Sequence, residues 1–165
     1  MGEYIRRQKG DDVKNIPWGR FSTVGKVGCG AVAAYNAAKA LGKEPEFVQL
    51  VREMEKAHMP VLGGIFGTNV FRLKLWLQKK FGRAELHILN TESWERETRS
   101  CRAAILFYKN KGLFKGNHFI CGIRSEEKFV FYNCAVLPGT HGFFMDEALR
   151  RLRKAGHTPL FLIVV

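Results

Sequence analysis

The spacing of apolar positions along this chain changes near Gly82. Before that point it follows helices. Ala31, Val32, Ala33, Ala34, Tyr35, Ala37, Ala38, Ala40 and Leu41 fill nearly every position between Gly28 and Gly42. A helix that is apolar on almost all faces is a buried one, and glycine readily takes the left-handed conformation that caps a C-terminus. The stretch therefore predicts a central helix that starts at Cys29 and stops at Gly42. Glu44-Pro45 opens a second helix, because proline suits a first helical turn. Phe47, Val48, Val51, Met54 and Ala57 form its apolar face, and Met59-Pro60 ends it. Val61 to Gly67 is an apolar, glycine-rich loop. Thr68 is the expected N-cap of a third helix, carried by Val70, Leu73, Leu75, Trp76, Leu77 and Phe81 and stopped by Gly82.

After Gly82 the period falls to two. Ala84–Leu89 alternates as a half-buried strand does, and 103–108, 117–123 and 128–136 read as further strands. The charged stretch 91–100 is expected at the surface, with a short helix. Arg124-Ser125-Glu126-Glu127 joins two of the strands into an antiparallel hairpin. Phe144 to Ala155 predicts a fourth helix that ends at Gly156, and 159–165 a terminal strand. Residues 1–27, broken by Gly10, Pro17, Gly19 and Gly25, are expected to be an irregular arm pinned by Trp18 and Phe21. Helices first and strands later define an α+β fold, a helical part packed on an antiparallel sheet, in a single domain spanning 1–165.

Composition narrows this picture. Cys29, Cys101, Cys121 and Cys134 form no CxxC pair, which argues against a zinc site and against a dense disulfide framework. Free thiols suit a reducing, cytoplasmic location. No apolar run suggests a secretory signal or a membrane span. The net charge of +12, from 27 basic and 15 acidic side chains, favours an acidic partner. No nucleic-acid-binding motif accompanies it, so nucleic acid is not the expected partner; the plainer account of the charge is a solvated basic surface.

One cysteine and one histidine stand out. A thiol at a helix N-terminus faces unpaired N–H groups and the positive end of the helix dipole, which favour thiolate. The competing account of Cys29 is a small core residue. His118 begins one hairpin strand and Asn133 ends its partner, so antiparallel pairing brings both to one end of the hairpin. A carboxamide beside an imidazole can hold its tautomer, which is the third role in a Cys-His-Asn arrangement. His118 and Asn133 each also have a plain structural reading. Together with Cys29 they point to nucleophilic catalysis.

In that order, Cys29, His118 and Asn133 resemble the papain-like cysteine peptidases. Gly28-Cys29-Gly30-Ala31, Gly67-Thr68, Asn117-His118-Phe119 and Tyr132-Asn133 are most similar to the double-glycine-leader (bacteriocin-processing) peptidases. The resemblance implies a helical part carrying the nucleophile, a sheet carrying His118 and Asn133, and a substrate cleft between them bordered by Gly63, Gly64 and Gly67. One feature departs from the family pattern. The family usually has a glutamine a few residues before the cysteine, donating to the oxyanion; here Thr23 stands there and Gln8 lies far upstream. Loss of such a donor costs roughly a hundred- to a thousandfold in rate. Asn15, Ser22 and Thr23 are the candidate replacements, together with the Cys29 backbone N–H. With the chain ending at Val165, the attached transporter of the fused processing peptidases is not expected.

The leading expectation is a hydrolase of peptide or amide bonds that needs no metal or organic cofactor and takes a peptide or protein substrate, acidic if the basic surface selects it. An acyltransferase using the same chemistry, a non-catalytic peptide-binding module and a charge-driven nucleic-acid binder are the alternatives.

Overall fold

A computed structural model describes residues 3–112 and 116–165. Met1 and Gly2 of the N-terminal arm lie outside the described residues. The elements are β1 (Pro17–Trp18), β2 (Ser22–Thr23), α1 (Val24–Val27), α2 (Cys29–Ala40), α3 (Phe47–Lys56), a 3-10 turn (Val61–Gly64), α4 (Val70–Phe81), β3 (Glu85–Ile88), α5 (Trp94–Glu97), β4 (Ala103–Lys109), β5 (Asn117–Ser125), β6 (Lys128–Tyr132), α6 (Met145–Lys154) and β7 (Thr158–Val164).

The architecture is α+β. Five strands form one antiparallel sheet in the order β3-β7-β4-β5-β6. Apolar side chains alternate across it, so each face has its own core. Ile105, Phe119, Cys121 and Ile163 meet α2, α3 and α4 on one face. Leu106, Ile120, Phe131 and Leu162 meet α5 and α6 on the other. The central helix α2 lies against β5 and β4. Its alanines allow close approach, and the buried Asn36 satisfies its carboxamide by accepting from Ile5 N and donating to Ile5 O, both at 2.9 Å.

Several sequence expectations are corrected in detail. Helix α3 begins at Phe47, because the Glu46 carboxylate accepts from the Val48 and Gln49 amides and caps it; Pro45 stays outside. The cap of α4 is Asn69, whose Oδ1 accepts from Phe71 N at 3.0 Å and Arg72 N at 3.1 Å. Thr68 instead packs into the space left by Gly30, where a Cβ would lie 2.4 Å from the Thr68 hydroxyl. Strand β6 stops at Tyr132, not Val136, because Asn133 takes a left-handed φ of 62°. The arm is less irregular than expected, with a two-residue β pairing and one helical turn. Trp18 pins it and is fully buried, while Phe21 is 63% exposed. Trp94 is fully buried too, so the charged stretch around it is anchored in the core.

Candidate functional site

Cys29 opens α2 directly after α1, with only Gly28 between them. Its start is covered by the protein's own chain, and the residue is 6% exposed. Burial pushes the thiol up to about 11, against the opposing pull of backbone N–H groups of Phe119, Gly30 and Cys29 itself. The sequence expectation of a depressed thiol pKa is reversed here, because desolvation outweighs those N–H dipoles. Of these N–H groups, the one with the largest effect belongs to Phe119, the residue that follows His118.

His118 is half-buried at the start of β5. Its Nε2 lies 2.7 Å from the main-chain oxygen of Asn133. A carbonyl only accepts, so Nε2 carries the proton and Nδ1 keeps the lone pair of the neutral ring. Desolvation lowers the His118 pKa, a bond to Asn133 opposes that, and nearby His157 adds to the lowering. The ring meets Tyr108 edge-on, with centroids 5.7 Å apart. Among the described residues no hydrogen bond joins the Cys29 sulfur to this ring.

Asn133 reaches His118 through its backbone. Its side chain turns to Gln8, a residue that spacing arguments passed over. Gln8 N donates to Asn133 Oδ1 at 3.0 Å, and Asn133 Nδ2 donates to Gln8 Oε1 at 3.1 Å. Asn133 N donates to Arg6 O at 2.9 Å, so the arm runs alongside this residue. Gln8 is buried, and its Nε2 donates to Gly25 O at 3.2 Å, which among the described residues leaves one amide hydrogen uncommitted. No local sequence signal marks Gln8; its partner lies 125 positions away.

Ser22 and Thr23 lie half-buried in β2, and Asn15 is exposed. Among the described residues, none of their side chains hydrogen-bonds to Cys29, His118 or Gln8. The Gly63–Gly67 loop packs on the β1–β2 turn. Gly63 O accepts from Phe21 N at 3.0 Å, and a Cβ on Gly64 would sit 2.2 Å from Trp18 O. Gly67 O takes the Trp18 indole N–H at 3.4 Å. Leu62, Ile65 and Phe66 on this loop are exposed. A separate cleft of about 910 Å³ lies beside His118 and Asn133. Among the described residues, no three His, Cys, Asp or Glu side chains converge as metal ligands, and no helix is long and apolar enough to cross a membrane.

The chain matches no family model and no curated protein. Its fold is similar to that of a solved double-glycine-motif protease from an AMS/PCAT transporter, determined in complex with the leader peptide. The TM-score is 0.54 with 14% identity, over 96% of this chain and 93% of that one. The fold is thus papain-like, with the helical part and antiparallel sheet that the resemblance implied.

Proposed function

We propose that the protein is a cysteine-dependent hydrolase of peptide or amide bonds, with Cys29 as nucleophile, His118 as general base and acid, and Asn133 as the residue that orients His118. The observation that carries this reading is the His118 Nε2–H bond to the Asn133 carbonyl, which leaves Nδ1 free to accept a proton, on the strand whose Phe119 N–H favours the Cys29 thiolate. The raised thiol and the lowered imidazole describe a pair that is neutral near pH 7. In this mechanism His118 removes the thiol proton as sulfur attacks the substrate carbonyl, rather than starting from a preformed ion pair. The sulfur–acyl bond forms, the C–N bond breaks, and His118 delivers its proton to the leaving amine. Water then releases the acid. An acyltransferase differs only in the second acceptor. The Cys29 N–H and the uncommitted Gln8 amide hydrogen are the favoured oxyanion donors in place of Thr23, Ser22 or Asn15. Likeness to a protease solved with a leader peptide supports a peptide substrate. Exposed Leu62, Ile65 and Phe66 beside Gly63, Gly64 and Gly67 suit its acyl side. Four free cysteines accord with a cytoplasmic setting.

Hydrolysis of a peptide library by the wild type, Cys29→Ala and His118→Ala tests this. We expect cleavage by the wild type alone, with either change lowering kcat/KM by about a hundredfold or more. Equal cleavage by all three rejects the assignment. A second reading, a peptide-binding module that does not cleave, is favoured by one observation: the buried Cys29 thiol has no hydrogen bond to His118. Peptide binding without any turnover would select it.

A further inference from the structure

The cleft beside His118 has a charge pattern that peptide hydrolysis by itself does not call for. Arg6, Arg7 and Lys9 line it from the N-terminal arm and Lys26 from α1, while no aspartate or glutamate lines it. All four cations are exposed, and none is ion-paired to a carboxylate among the described residues. Unpaired like charges around a concave surface focus a positive potential that recruits anions. The lining includes His118 and Asn133 but neither Cys29 nor the Gly63–Gly67 loop. The cleft therefore lies on the imidazole side, where a leaving amine collects its proton. Among the described residues its aromatic liners are already packed: Tyr108 and Phe131 are buried, the half-buried Tyr132 packs on Tyr4 at 4.9 Å, and the half-buried His118 and His157 rings pack on Tyr108 at 5.7 and 5.0 Å. Single-stranded nucleic acid relies on free stacking faces as well as charge, so the cleft fits carboxylates on an extended chain better than bases.

We propose that this cleft selects an acidic peptide segment, the part of the substrate C-terminal to the scissile bond, held by Arg6, Arg7, Lys9 and Lys26. The proposal rests on the hydrolase reading for its placement, and its test is a binding experiment that does not depend on turnover. The Cys29→Ala protein is titrated with a fluorescein-labelled hexapeptide of alternating Asp and Glu, with the matching Asn/Gln hexapeptide, and with a labelled single-stranded RNA. Exposed ion pairs each contribute a few-fold at most, so the acidic peptide should bind about tenfold or more tightly than the amide peptide, and the gap should shrink in high salt as screening shortens the reach of the cations across the cleft. Arg6→Glu with Arg7→Glu should abolish the preference. Arg52→Glu with Lys79→Glu, which changes net charge equally on exposed positions away from the cleft, should leave it intact. Equal affinity for the two peptides, equal loss from both double substitutions, or RNA bound more tightly than the acidic peptide overturns the proposal. Alkylation of wild-type Cys29 reports separately on the hydrolase reading, so a failure of either claim is recognised without the other.

Discussion

Asn133 meets His118 with its main chain, while its side chain is spent on Gln8. This division has a consequence that substitution exposes. Asn133→Gly and Asn133→Ala both strand the Gln8 amide and carbonyl, at a cost of about 1–3 kcal/mol. Alanine must also hold the left-handed φ of 62°, which costs about 1–2 kcal/mol more. Urea unfolding should therefore place Asn133→Gly above Asn133→Ala, and nitrogen NMR should find His118 still protonated at Nε2 in the glycine variant. A ring that switches tautomer in Asn133→Gly would mean the carboxamide, not the carbonyl, sets it. The helix start at Cys29 and the strand start beside His118 were legible in the sequence because the hydrophobic pattern defines those boundaries. Gln8 and the use of the Asn133 carbonyl were not, since both depend on contacts between chain ends and on one backbone torsion.

At the scale of elements, hydrophobic period located the four long helices and the strands of the main sheet. It missed β1, β2 and α1, which are too short to show a period and are held by tertiary contacts. It also put the cap of α4 one residue early. Thr68 and Asn69 are both good capping residues, and what separates them is the space beside Gly30. The two positions should respond oppositely. Asn69→Ala removes a cap that holds two amides, an expected loss of about 1 kcal/mol. Thr68→Val replaces a buried hydroxyl with no hydrogen-bond partner among the described residues, so urea unfolding should show no loss. Gly30→Ala forces a methyl group onto Thr68 and should destabilise by about 1–3 kcal/mol. A larger loss from Thr68→Val than from Asn69→Ala would restore the sequence-based cap.

Across the whole molecule the N-terminal arm ties the two layers together. Asn36 on α2 holds Ile5, and Asn133 beyond β6 holds Arg6 and Gln8, within a few residues of one another. Asn36→Ala strands the buried Ile5 amide and carbonyl, and we expect a loss of about 2–4 kcal/mol with faster amide exchange at Ile5 and Gln8. Stability also carries a proton linkage. Burial lowers the His118 pKa below its ordinary value of 6.5, so the unfolded chain binds that proton more readily. The contribution of the neutral ring is complete above pH 6.5 and is lost as pH falls through that value toward the lowered native one. His118→Gln should flatten this acid-side slope. The overall architecture was legible because three long helices precede the main sheet and a fourth precedes its last strand. The arm's role as a clasp was not, since polar residues broken by glycine and proline carry no period.

The central claim is that Cys29 and His118 act as a nucleophile–base pair. The most direct test is the iodoacetamide alkylation rate of Cys29 against pH, with the modified cysteine located by mass spectrometry, in the wild type and His118→Ala. The account predicts that Cys29 reacts faster than the fully buried Cys121 and that near pH 7 the wild type exceeds His118→Ala by about tenfold or more, as general-base assistance requires. Identical profiles in the two proteins, both rising only toward pH 11, would contradict it and leave a peptidase-like fold that binds without cutting.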